Sequence, residues 1–205
     1  MRFPHHVRMS VTRRDDKELR LGAFISRGLG GAVLDAAIAR PLAGPAILVM
    51  ARSARSPVVR SLCTLTADIA AAKWSVRIIL AKAEHDAADG GRGQGLAALR
   101  HAVPCEVRRG RNPRLIEAHE QLVIGARICW TGDTMRRDPA TCDAYESFVE
   151  DCPEIAAAAA ATFERLWTDC TPLVGLALPV ATASVTPKAI APPPSLVRRT
   201  GGHRI

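Results

Sequence analysis

Residues 44–81 constrain the chain most. Ala46-Ile47-Leu48-Val49-Met50 is an unbroken apolar run between Gly44-Pro45 and Arg52-Ser53. A short run of this kind, bounded by turn residues, is a strand buried on both faces. Ser56-Pro57 then reads as the start of a helix, with a hydroxyl to cap a free N–H and a ring whose fixed φ suits the first turn. Val58, Leu62, Leu65 and Ile69 recur at spacings of three and four, which gives a helix to about Lys73 one buried stripe. Trp74 to Leu80 is a second strand. Strand, helix and strand within about 35 residues make a βαβ crossover with a parallel pair. That unit excludes a helical bundle and an all-β sandwich.

The rest of the chain extends the unit into an α/β fold, a mixed β-sheet flanked by helices on both faces. Strands are expected near 46–50, 75–81, 105–108, 119–124, 127–131 and 145–149, the fifth ended by Gly132-Asp133. Helices are expected after the glycine turn at Gly28, Gly30 and Gly31, over Leu96 to Val103, and from Asp151-Cys152-Pro153-Glu154 through six alanines to Trp167. The GLGG stretch lacks the G-K-[ST] ending of a phosphate loop. Residues 1–20 are charged and without period, so a mobile basic arm is expected before a domain over 21–180. Residues 173–180 read as a last strand or apolar extension. From residue 181 prolines, glycines and basic residues predict a disordered tail carrying Arg198, Arg199 and Arg204.

Composition sets the partner class. The net charge of +8 favours anionic partners, nucleic acid among them. Arginine is densest at Arg108, Arg109, Arg111 and Arg114, just before the fourth expected strand. The six cysteines form no C-x-x-C pair, so a zinc site is not expected and reduced core thiols are. His85, between Glu84 and Asp86 in a polar, glycine-rich loop, reads as a solvated side chain. No metal or cofactor is called for. The N-terminus has no apolar signal region and no stretch reaches the ~18 apolar residues of a membrane span, so a cytoplasmic protein is expected.

The order of residues 117–167 carries a resemblance. His119 opens the run Leu122-Val123-Ile124, a Gly125-Ala126 break and a second run to Thr131 follow, then Gly132, then Glu146 on a later strand, then the long helix ending in Trp167. Over residues 44–170 this resembles the phospholipase D superfamily, whose phosphodiesterases carry H-x-K, four residues, D, then G-S-x-N and a later acidic residue. The resemblance implies a histidine nucleophile at His119 and an imidazole-orienting carboxylate at Glu146. Gln121, Gly132, Asp133 and Thr134 would then line the phosphate side, supplemented by the four arginines. It also implies a homodimer, because members with one motif copy pair two histidines across a two-fold axis.

The departures from that pattern fall on the phosphate ligands. Gln121 stands for the lysine, Ala126 for the aspartate, Asp133 for the serine and Met135 for the asparagine. Asp133 beside a phosphodiester would cost about 1 kcal/mol or more at ~4 Å. The expectation is therefore a phosphodiester- or nucleic-acid-binding domain with little or no turnover, whose His119 and Glu146 share one side of the sheet. An active phosphodiesterase or nuclease working through a phosphohistidine is one alternative. A basic, non-catalytic interaction protein is the other.

Overall fold

The computed structural model describes residues 6–9, 14–36, 46–82, 94–137 and 145–173. They form one eight-stranded mixed sheet with helices on both faces. The strands are β1 (His6–Met9), β2 (Ala46–Ala51), β3 (Ser75–Leu80), β4 (Cys105–Arg109), β5 (His119–Ile124), β6 (Ile128–Thr134), β7 (Tyr145–Val149) and β8 (Thr171–Pro172). The helices are α1 (Arg14–Ala36), α2 (Pro57–Thr64), α3 (Thr66–Ala71), α4 (Gln94–Ala102) and α5 (Pro153–Thr168). The strand order is β1-β7-β6-β5-β2-β3-β4-β8. β2, β3 and β4 are parallel, and every other pairing is antiparallel. The expected α/β class and the βαβ unit are both present.

Four local expectations change. The described part of the supposed arm is β1, paired with β7, followed by the first turns of α1. The glycines meant to precede a helix lie inside α1 instead. At Gly28 a Cβ would sit 3.0 Å from Ile124 Cδ1 and 3.2 Å from Ile128 Cδ1, so the bare backbone lets α1 lie close on the sheet. The single helix expected over 57–73 is broken at Leu65. There the hydroxyls of Thr64 and Thr66 bond back to the carbonyls of Ser61 and Cys63, competing with the helical ladder. Ser56 sits at the start of α2 as expected, but its hydroxyl makes no capping bond and is used elsewhere. The loop at 83–93, the turn at 138–144, the extension beyond residue 173 and the basic tail lie outside the described residues.

β6 runs past its expected end, through Gly132 and Asp133 to Thr134. His119 pairs with Thr134 and Gln121 with Thr131, so two steps along β5 oppose three along β6. The extra residue is a β-bulge, which reverses the facing of everything after it. On β6, Cys129 packs on the α5 side and Trp130 on the α1 side. Unbroken alternation would send Asp133 with Cys129, whereas the bulge turns it toward α1, where Lys17 meets it.

Two cores follow from that alternation. Ile47, Val49, Leu122, Ile124 and Trp130 pack under α1, α2 and α4, while Leu48, Met50, Val123 and Cys129 pack under α5. The far end of α5 is fixed by Trp167. The guanidinium carbons of Arg77 and Arg108 lie 4.2 and 4.3 Å from its ring centroid, and Phe163 stacks on it at 5.3 Å. Five free cysteines are described. Burial pushes the Cys63 and Cys129 thiols up to about 11 and Cys105 to about 12, so they behave as core side chains and not as nucleophiles.

A Cβ at Gly132 would stand 2.3 Å from the rigid Trp130 indole. Gly132→Ala should therefore cost about 1–3 kcal/mol, the range of an overpacked core, read as a lowered urea midpoint with an unchanged slope.

A buried ionic crevice at the carboxyl ends of the parallel strands

From β2 the chain moves to β3 and β4 on one side, then returns to β5, β6 and β7 on the other. The sheet therefore changes direction between β2 and β5, and the crevice beyond the carboxyl end of β2 is where an open α/β sheet takes its ligands. Here that crevice is filled by side chains. Glu120 of β5, almost fully buried, accepts a hydrogen bond from the backbone N–H of Arg52 at 3.0 Å. The Ser56 hydroxyl, fully buried at the start of α2, lies near enough to favour the charged form of Glu120.

Beside Glu120 lies the ammonium of Lys17, from the first turn of α1 and only 1 % exposed. It donates to Asp133 Oδ2 at 3.3 Å, stands 3.9 Å from Glu146 Oε1 and lies 5.6 Å from the Trp130 ring centroid. Arg20, one turn along α1, reaches Glu146 Oε2 at 2.7 Å from the half-exposed rim. Asp133 and Glu146 thus converge on Lys17, whose charge is also felt by Glu120. Burial raises the pKa of both Glu120 and Glu146. Hydrogen bonds from Ser56 and Arg52 and the charge of Lys17 oppose the rise at Glu120, and the charges of Lys17 and Arg20 oppose it at Glu146. Among the described residues no three His, Cys, Asp or Glu side chains are arranged to hold a metal ion.

With this fold and crevice, the chain can be set beside known proteins. No protein-family profile and no curated protein sequence matches it. Solved structures do. Nuc of Salmonella typhimurium, a phospholipase D family member, is 15 % identical over 69 % of this chain and 88 % of its own, with a TM-score of 0.46. NucT of Helicobacter pylori is 14 % identical over 78 % and 92 %, with a TM-score of 0.47. The chain is similar in structure to phospholipase D family members. TrmBL2, an archaeal chromatin protein described by a novel mode of DNA binding, is 13 % identical over 62 % of this chain and 45 % of its own, with a TM-score of 0.44.

The residues named from the phospholipase D resemblance do not all meet. Strand alternation sets His119 and Gln121 with Val123 on the α5 side of β5, and Glu120 with Leu122 and Ile124 on the α1 side. Thr134, opposite His119, shares the α5 side. His119 is exposed, and its Nδ1 lies 2.8 Å from the Gly132 carbonyl, which accepts from it in the Nδ1–H tautomer. Glu146 is buried on the α1 side with Asp133. The expected pairing of His119 with Glu146 on one side of the sheet is therefore not what the backbone builds. Of the arginines, Arg108 is spent on Glu106, on the Trp167 carbonyl and on the Trp167 ring. Arg111 donates to Thr171 Oγ1 at 2.7 Å, while Arg109 and Arg114 are exposed at the edge of the sheet.

The sequence does not single out Lys17 and Glu120, and it marks Ser56 only as a helix cap and Arg20 only as part of a basic arm. Lys17 does carry a signal, since it extends the helical stripe Leu21, Phe24, Ile25 and Gly28 by one turn.

Removing the cation should be expensive. Lys17→Met leaves three buried carboxylates facing one another and should cost about 3–5 kcal/mol in urea unfolding at neutral pH. Glu120 supplies a pH test. Its pKa is higher in the folded protein than its ordinary 4.5, so the native state holds the proton more tightly than the unfolded chain. Its contribution therefore favours folding at low pH and is lost as pH rises above the ordinary value. Glu120→Gln should gain stability relative to wild type as pH goes from about 4 to about 8, measured as the difference in urea midpoints. A flat difference would mean that the folded state does not perturb Glu120.

Proposed function

We propose that this chain is a phospholipase D-like domain that binds phosphodiester backbones, nucleic acid foremost, with little or no turnover. The observation that carries the reading is the separation of His119 from Glu146. A phosphohistidine mechanism needs the nucleophile, the group that orients it and the charge that receives the phosphate at one place. Here His119 faces one side of the sheet, and Glu146 faces the other with Lys17 already engaged. Binding rests instead on charge. The chain carries +8, and Lys82, Arg109, Arg114 and Arg136 are exposed along the edge beyond the carboxyl ends of β2, β3 and β4. A homodimer belongs to the same reading, and light scattering tests it.

Two measurements check it. Hydrolysis of bis-p-nitrophenyl phosphate should stay at background and should not change in His119→Ala. Robust turnover abolished by that substitution would mean a working site. A labelled duplex of about 20 base pairs should bind with an affinity that falls on the order of 10–100-fold between about 50 and 200 mM salt, as for two to four phosphate contacts. Lys82→Glu with Arg109→Glu should weaken it further. Absence of binding at the lower salt would favour a protein-interaction role for the basic surface.

A further inference from the structure

We propose that Glu120 stands in for a bound oxyanion, so that the crevice between β2 and β5 is a small-oxyanion site closed by the chain's own carboxylate. The inference does not depend on nucleic-acid binding.

One main-chain donor binds that carboxylate, and a hydroxyl and an ammonium from two further elements act on it. The Arg52 N–H comes from the end of β2 and lies 3.0 Å from Glu120 Oε1. The Ser56 hydroxyl comes from the start of α2. Its oxygen accepts from the Ser53 N–H at 3.2 Å, and the hydroxyl favours the charged form of Glu120. The Lys17 ammonium comes from α1 and is held in place by Asp133. Lys17, Ser53 and Ser56 are each at least nine-tenths buried, so the donors are fixed before any anion arrives. Main-chain N–H, hydroxyl and ammonium at the carboxyl ends of parallel strands are the donor set with which proteins hold phosphate or carboxylate groups. Here they are satisfied from inside. The ligand class is a small carboxylate or phosphate, and the native chain excludes it by occupying its place.

The test restores the anion from solution. In Glu120→Ala, sodium formate and inorganic phosphate should each raise the thermal midpoint by about 3–6 °C at tenfold above their dissociation constants, with ionic strength matched by sodium chloride. Formate reports a carboxylate-sized site and phosphate a larger one, and a response to either supports the proposal. Wild type should show no shift beyond the chloride control. Glu120→Gln, neutral but still filling the space, should show none either. Adding Lys17→Met to Glu120→Ala should remove the effect. If Glu120→Ala does not fold in plain buffer, recovery of a cooperative transition by refolding in formate or phosphate supports the site, and failure in both overturns it. The proposal is also overturned if chloride stabilises Glu120→Ala as well as the oxyanions do. A Lys17-dependent response already present in wild type would show that Glu120 does not close the crevice.

Discussion

The burial of one ammonium holds the two halves of this fold together. Lys17 comes from the first turn of α1, and its partners Asp133 and Glu146 come from β6 and β7, more than a hundred residues away. A charge taken out of water is costly unless it is paired and hydrogen-bonded. The position of α1 over the sheet is thus tied to the aim of these two carboxylates. The apolar contacts of Leu21, Phe24, Ile25 and Leu29 hold the helix down, and the ionic contact decides where along the sheet it stops.

The aim of those carboxylates depends on a defect in the sheet. Without the bulge opposite Glu120, Asp133 would face α5 and Lys17 would lose its nearest acceptor. Gly132 permits the bulge because Trp130 occupies the space a side chain would need. The same indole lies against Lys17, so one aromatic ring shapes both the strand and the site. The crevice and the sheet irregularity form a single unit, as bulges beside functional sites commonly do.

The frame of the fold was readable because its signals were local and redundant. Ala46 to Met50 is apolar on both faces, so it is a strand whatever its parity, and in Trp74 to Leu80 the apolar Val76, Ile78 and Leu80 alternate with Ser75 and Arg77. That redundancy is what hid the site. In Leu122-Val123-Ile124 both faces are buried, so the run does not say whether His119 or Glu120 faces α1, and a one-residue slip exchanges them. The bulge in β6 compounds the difficulty, since its cause is a contact between Gly132 and Trp130 rather than a turn motif. Lys17 was hidden by its neighbours. Asp15, Asp16, Glu18 and Arg20 make the segment look solvated, although position 17 alone falls on the apolar stripe.

The N-terminal segment illustrates how composition can mislead about where a folding unit begins. A chain trimmed to residue 21 would keep every strand of the βαβ core and all of α5. It would also delete the only buried cation among the described residues and strip β7 of its neighbour. Glu120, Asp133 and Glu146 would then face a crevice without its buried ammonium, and β7 would present a bare edge. Such a fragment would express as an aggregating or acid-requiring species, although Leu21, Phe24, Ile25 and Leu29 of the core would all remain.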